Sequence, residues 1–129
     1  MATLYIRLIH PDSFDATQEV GMRIKDSAIP SSEMKRGVGP SIFLETKLPH
    51  GLSDLKVVGT KRENFGAARI STEELAGLTL EAIHTPEECE DEALKPAHYS
   101  IKGMTRAIRA SLVELLDKNL IEPPTSRAA

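Results

Sequence analysis

The stretch PAHYSIKGMTRAIRASLVELLDKNLI, residues 96–121, decides the fold of this chain. Residues 97–101 are typical of a short strand, which ends before Lys102 and Gly103. An amphipathic helix is predicted after them, because apolar residues recur there at spacings of three and four and polar residues fill the opposite face. The apolar face comprises Met104, Ala107, Ile108, Leu112, Leu115 and Leu116, and the polar face comprises Thr105, Arg106, Arg109, Glu114, Asp117 and Lys118. A helix of this kind must bury its apolar face, and we expect it to pack on a sheet.

The chain before this stretch carries further strand patterns, recognised by alternation or by short apolar runs. They predict strands at residues 3–9, 20–25, 41–48, 55–59 and 78–83. Two helical turns interrupt the series. Ser71 and Glu74 form a capping-box pattern, and Thr85, Pro86 and Glu88 form a second one.

This order of elements predicts an α+β domain over residues 1–122. The expected architecture is a small mixed or mainly antiparallel sheet with a long C-terminal amphipathic helix packed on one face. Residues 123–129, which begin with two prolines, are expected to form a flexible tail.

The composition fits one globular domain and argues against several classes of function. The chain has 129 residues, 40% hydrophobic and 27% charged, with a formal net charge of −3. This charge gives no general attraction to nucleic acid or anionic lipid, and an aromatic content of 4% argues against base stacking. Cys89 is the sole cysteine, no apolar run approaches a membrane span, and the N-terminus does not resemble a signal peptide. We therefore expect a cytoplasmic protein that has no contact with a membrane and needs no cofactor.

The four histidines are the first candidates for chemistry near neutral pH. His10, His50, His84 and His98 are far apart in the sequence, and no spacing typical of a zinc site is present. No metal is expected. Three of them follow or end predicted strands and His98 begins one, so the fold decides whether any two act together.

Two enzyme patterns involve these residues. His98 and Ser100 have the His-x-Ser form that two-histidine phosphoesterases use, although the chain lacks a second copy, and the two side chains are also expected simply to share one face of a strand. Arg7 or His10, followed by Ser41 and Glu45, has the order of residue types found in ADP-ribosyl-transferring folds. These patterns predict, as an alternative function, a small enzyme acting on a nucleotide or phosphoester through His10, His98, Arg7, Ser41 and Glu45.

The leading hypothesis is a small protein-interaction module of the accessory, adaptor, immunity or inhibitor type. A bacterial defence or mobile locus is one setting for it, although no residue specifies this. Its candidate partner-binding residues are the acidic run Glu87, Glu88, Glu90, Asp91 and Glu92, together with Arg106 and Arg109 near the start of the last helix. A solvated surface is the more ordinary interpretation of the acidic run, and pairing with Glu or Asp on a neighbouring loop is the more ordinary role of the arginines. A homodimer is also compatible with a domain of this size.

A nucleic-acid-binding accessory protein is the third hypothesis. It requires one face to gather six basic residues, namely Lys35, Arg36, Lys61, Arg62, Arg106 and Arg109. Gly37 and Gly39 beside the first pair permit a backbone contact with an anion, although most such glycines only form a turn.

Overall fold

A computed structural model of the chain describes residues 3–15, 23–30 and 39–124. Its strands are β1 (Leu4–Ile9), β2 (Phe14–Asp15), β3 (Arg23–Ile24), β4 (Ser41–Leu44), β5 (Gly66–Ser71), β6 (Glu81–His84), β7 (His98–Lys102) and β8 (Leu120–Glu122). Its α-helices are α1 (Thr72–Gly77) and α2 (Arg106–Lys118). Short 3-10 turns join many of these elements. Within the described residues, no helix combines the length and apolar character needed to cross a bilayer.

Six strands form one sheet in the order β6-β7-β4-β1-β5-β8, and all neighbouring strands are antiparallel. β2 and β3 form a separate two-stranded pair. β1 lies inside the sheet, with Tyr5 opposite Leu44 on β4 and Ile70 on β5. Because successive residues of a strand face opposite sides, Tyr5 and Ile6 contribute to different layers of the core.

Helix α2 covers one face of the sheet. Leu112, Val113 and Leu116 are buried in the same cluster as Tyr5 and Ile101. Thr105 begins the helix by accepting a hydrogen bond from the backbone N–H of Ile108 through its side chain. The α+β prediction is therefore confirmed, with an antiparallel sheet and a 13-residue helix packed on one face. The chain continues beyond that helix into the edge strand β8.

The opposite face of the sheet is covered by turns and loops rather than by an α-helix. Ile6 and Phe43 pack there against Leu48, Leu55 and Leu94. Cys89 is buried in this layer as well, at 8% exposure. Loops that form a core layer bury backbone N–H and C=O groups outside regular secondary structure, and each of these groups needs a hydrogen-bond partner.

The individual strand predictions had mixed outcomes. The strand predicted at 41–48 is shorter, because Glu45–Lys47 form a 3-10 turn after β4. The strand predicted at 55–59 is wrong: these residues form turns, with Leu55 fully buried and Val58 81% exposed. The prediction at 20–25 lies partly outside the described residues, and only Arg23–Ile24 are seen as a strand.

The two predicted capping boxes also differ. Ser71 and Glu74 make both reciprocal bonds at the start of α1. Thr85 precedes only a 3-10 turn and makes no side-chain cap. Its hydroxyl is instead buried among polar side chains of β7, which leads to the candidate site.

Gly39 has a structural requirement where the chain enters β4. Its φ is +74°, and a Cβ at this position would lie 1.8 Å from the carbonyl oxygen of Ile101. Only glycine fits such a close approach between two backbones. Gly37, Lys35 and Arg36 lie outside the described residues.

Candidate functional site

Three polar residues are buried together under the loop-covered face of the sheet. Thr85, His98 and Ser100 are 7%, 3% and 2% exposed. The alternation of β7 places His98 and Ser100 on this face, and Thr85 joins them because its backbone N–H donates to the carbonyl of His98. The Thr85 hydroxyl lies 2.7 Å from that of Ser100. Hydrogen bonding offsets the cost of burying these groups.

The hydrogen bonds of His98 define which of its ring nitrogens carries the proton. Nδ1 lies 2.8 Å from the backbone carbonyl oxygen of Thr85, and Nε2 lies 3.1 Å from Oγ of Ser41. Because a carbonyl oxygen can only accept, Nδ1 is the protonated nitrogen of the neutral ring. Nε2 therefore presents a lone pair and accepts the hydroxyl proton of Ser41.

The surroundings of His98 favour its neutral form. Burial lowers its pKa below the ordinary value of 6.5, and the hydrogen bond to the Thr85 carbonyl and the charges of Glu88 and Glu87 only partly oppose this. The nearby His84 lowers the pKa slightly further. At neutral pH the ring is consequently an uncharged base facing a serine hydroxyl.

Ser41 also lines a cavity of about 350 Å³ that opens to solvent where β1 ends and β4 begins. The cavity wall combines hydroxyls, rings and one guanidinium. These come from Ser13, Ser27 and Ser41, from His10, Phe43 and Phe65, and from Arg7. The volume lies within the range of roughly 300–1,000 Å³ that small-molecule sites occupy.

Buried hydrogen bonds hold the wall of this cavity in place. Arg7, 7% exposed, donates from one terminal nitrogen to the carbonyl of Ser41 at 2.8 Å and from the other to the carbonyl of Ala28 at 2.6 Å. The hydroxyl of Ser27 donates to that of Ser13 at 3.0 Å. Arg7 thereby joins β1 to the start of β4 and to the turn Asp26–Ala28.

His10 lies at the mouth of the same cavity. Its Nδ1 accepts from the backbone N–H of Asp12 at 3.0 Å, and its ring packs edge-on against Phe65 with centroids 5.2 Å apart. His10 lines the cavity, whereas His98 lies behind Ser41 and does not line it. The structure thus brings Arg7, His10 and Ser41 around one space.

The remaining predicted catalytic and histidine residues lie elsewhere. Glu45 forms two hydrogen bonds with the guanidinium of Arg69, at 3.0 and 2.7 Å, and does not line the cavity. His84 packs against Tyr99 with ring centroids 4.9 Å apart. His50 lies in an exposed turn after Leu48. Among the described residues, no three His, Cys, Asp or Glu side chains gather into a metal site.

The predicted partner-binding carboxylates lie beside the edge strand β6. Asp91 pairs with Arg62 at 3.2 Å, and Glu92 approaches Lys95 at 3.9 Å. Lys95 also donates to the carbonyls of Pro86 and Cys89, which holds the acidic loop together. Four glutamates of the run remain solvent-exposed, namely Glu87, Glu88, Glu90 and Glu92.

β6 is an edge strand of the sheet, and it carries an exposed apolar side chain, Ile83. In the described part of the chain it pairs only with β7. Because Thr85 donates to His98 in this ladder, alternation turns the backbone groups of Glu81 and Ile83 towards β7 and those of Ala82 and His84 away from it. Ile83 is 37% exposed.

Of the six basic residues in the nucleic-acid hypothesis, Lys35 and Arg36 lie outside the described residues, and two of the others make hydrogen bonds within the chain. Arg109 donates twice to the backbone carbonyl of Asp26, and Arg62 donates to the carbonyl of Leu55 as well as to Asp91. Lys61 and Arg106 are exposed.

Sequence reasoning passed over three residues of these sites. It assigned Thr85 to a helix cap, and a hydroxyl directly between a strand end and a proline carries no other signal. Ser13 and Ser27 have no sequence pattern that distinguishes them from ordinary turn residues.

Comparisons with known proteins found no match: no family model, no curated protein and no solved structure is significantly similar to the chain.

Proposed function

We propose that the protein is a small interaction module that receives a basic, extended segment of a partner protein along β6. The observation that carries the proposal is the outward-facing backbone of this edge strand, because an exposed row of N–H and C=O groups is a template for one more strand. The exposed Ile83 offers an apolar contact to the added segment.

The charge around β6 selects the class of partner. Glu81 on the strand and Glu87, Glu88 and Glu90 after it are all exposed. Their negative charge favours lysine and arginine side chains and disfavours acidic segments. Arg106 and Arg109 belong to helix α2, and the proposal does not use them.

The proposal places the protein in the cytoplasm, because its single cysteine, Cys89, is a buried free thiol and reduced thiols are typical of that compartment.

The experiment uses the full chain and two synthetic octapeptides with blocked ends. One alternates lysine and valine, and the other alternates glutamate and valine. Titration followed by amide NMR is expected to show that the lysine peptide binds and shifts the amides of Ala82 and His84 most. Equal binding of the glutamate peptide, or shifts confined to other elements, would refute the proposal.

A pair of variants at one position separates backbone pairing from simple charge attraction. Ala82→Pro removes an N–H that points away from β7, and proline is tolerated on the solvent side of an edge strand. We expect this variant not to bind the lysine peptide, while the matched control Ala82→Val binds it normally. Self-association of the protein through β6, seen by sedimentation without peptide, would instead identify a second copy of the chain as the partner.

A small enzyme is the second candidate, because Arg7, His10 and Ser41 line one cavity. For a nucleotide or phosphoester, the described lining supplies a single guanidinium and no carboxylate. Incubation with mononucleotides and aryl phosphates, followed by chromatography, tests that chemistry directly. Turnover that is lost in Ser41→Ala would favour the enzyme over the interaction module.

A further inference from the structure

We propose that Ser41 is a nucleophile activated by His98, and that the cavity in front of it accepts a small neutral acyl ester. Three groups stand in sequence: the hydroxyl of Ser41, the imidazole of His98 and the backbone carbonyl of Thr85. They correspond to a nucleophile, a general base and a group that orients the base. The proposal concerns the cavity and is independent of the β6 edge.

Ser41 differs from the other described serines in combining two properties. Ser13 and Ser27 line the cavity but bond to each other, and Ser100 bonds to Thr85 deep in the sheet. Within the described chain, only Ser41 both lines the cavity and bonds to a histidine ring.

The arrangement shields the base and exposes the nucleophile. His98 is 3% exposed and packs edge-on against Phe43, with ring centroids 5.5 Å apart, while Ser41 is half-buried at the cavity wall. The lone pair on Nε2 is therefore directed to one hydroxyl rather than to bulk water. The bond between Nδ1 and the Thr85 carbonyl keeps the ring in the tautomer that this role requires.

The cavity wall indicates the class of substrate. Phe43, Phe65 and Leu8 provide an apolar lining, and Arg7 is the only lysine or arginine among the described lining residues. Among the described lining residues a dianionic phosphate would meet the charge of Arg7 alone, whereas an uncharged ester fits the apolar wall. Both terminal nitrogens of Arg7 donate to backbone carbonyls, so its guanidinium favours the negative charge that develops on the ester carbonyl oxygen through its positive charge rather than through a hydrogen bond.

The reaction can be written with all atoms accounted for. Oγ of Ser41 attacks the acyl carbon and forms a C–O bond, and its proton passes to Nε2 of His98. The bond from the acyl carbon to the alcohol oxygen then breaks, and His98 returns the proton to the departing alcohol. Water attacks the acyl-serine by the same steps, which releases a carboxylic acid and restores the Ser41 hydroxyl.

The first test is labelling with phenylmethylsulfonyl fluoride, in which Oγ forms a bond to sulfur and fluoride leaves. Peptide mapping by mass spectrometry is expected to find one adduct, on Ser41. Ser41→Ala should abolish it. The matched control Ser53→Ala, which removes a hydroxyl bonded to the His50 carbonyl outside the cavity, should leave it unchanged. The absence of an adduct on Ser41 would overturn the proposal.

The second test follows 4-nitrophenyl acetate hydrolysis. His98→Gln is expected to slow acyl transfer by about a hundredfold or more, because it removes the general base. If this variant does not fold, the pH profile of the unaltered protein decides. The rate should reach half its plateau below pH 6.5, because burial lowers the pKa of His98 in spite of Glu87 and Glu88. A rate that keeps rising in proportion to hydroxide would overturn the proposal.

Discussion

The cavity end of the sheet and its β6 edge treat polar groups in opposite ways. At the cavity end, Arg7, His98 and Ser100 are buried, and each is engaged by neighbouring polar groups. At the β6 edge, Glu87 and Glu88 stand in solvent, and the outward backbone of Ala82 faces away from β7. Polar groups are abundant in both places, but only the first set is fixed by the fold.

The difference shows where each kind of function can be sought. A buried polar group costs free energy unless it is satisfied, so its geometry is determined and can support chemistry. An exposed charge costs little and holds no single geometry, so it is suited to steering and selecting a partner. Substitutions of buried polar groups, compared with matched substitutions of exposed ones, test this difference directly.

The largest effect is expected at Arg7. Arg7→Met leaves the buried carbonyls of Ser41 and Ala28 without the donors that now serve them, and each such loss costs roughly 1–3 kcal/mol. We expect the free energy of unfolding in urea to fall by about 3 kcal/mol.

Arg106→Met is the matched control, because it makes the same replacement at an exposed position in the first turn of α2. Its effect should stay within about 0.5 kcal/mol. Equal effects of the two substitutions would show that burial of Arg7 does not distinguish the two regions.

Much of the fold could be predicted because local patterns and tertiary needs agree. The capping box at Ser71 and the alternation of β1 are confirmed, and so is most of the apolar stripe of α2, in which Ala107 is exposed and the unpredicted Val113 is buried. β5 was not predicted, because Ala67 and Ala68 are buried in opposite core layers and apolar–polar alternation covers only residues 68–71 of the strand. The strand predicted at 55–59 failed because an apolar run alone does not separate a strand from a turn that buries one leucine.

The candidate site was less predictable, because its contacts span long separations in sequence. Ser41 and His98 are 57 residues apart, and Arg7 lies 34 residues from Ser41. The sequence identifies these as residue types suited to catalysis but contains nothing that places them together. The residues around Thr85 are typical of a helix start, but its hydroxyl bonds instead to the buried hydroxyl of Ser100 and the ring of His98 on β7.

An intermediate effect is expected from protonating His98. Since burial lowers its folded-state pKa below 6.5, the unfolded chain binds the proton more tightly, and stability falls as the pH drops through 6.5 towards the folded value. Urea unfolding at about pH 8 and about pH 5 should therefore show a smaller loss for His98→Gln than for the unaltered protein. The exposed His50, replaced by glutamine, should leave the loss unchanged. The same loss in all three proteins would contradict a buried neutral ring.

The smallest effect on folding is expected from the carboxylates beside β6, where the effect on binding should nevertheless be clear. Glu87→Gln, Glu88→Gln and Glu90→Gln each remove an exposed charge and should change the free energy of unfolding by no more than about 0.5 kcal/mol. Each should weaken the binding of the lysine–valine peptide by about two- to fivefold, and the loss of affinity should shrink as salt is added, because exposed charges are screened.

The control is Glu114→Gln, which neutralises an exposed glutamate on α2, away from β6. If Glu114→Gln weakens peptide binding as much as Glu88→Gln does, the affinity depends only on the net charge of the protein. If only the substitutions beside β6 matter, the edge strand and its acidic loop act as one surface.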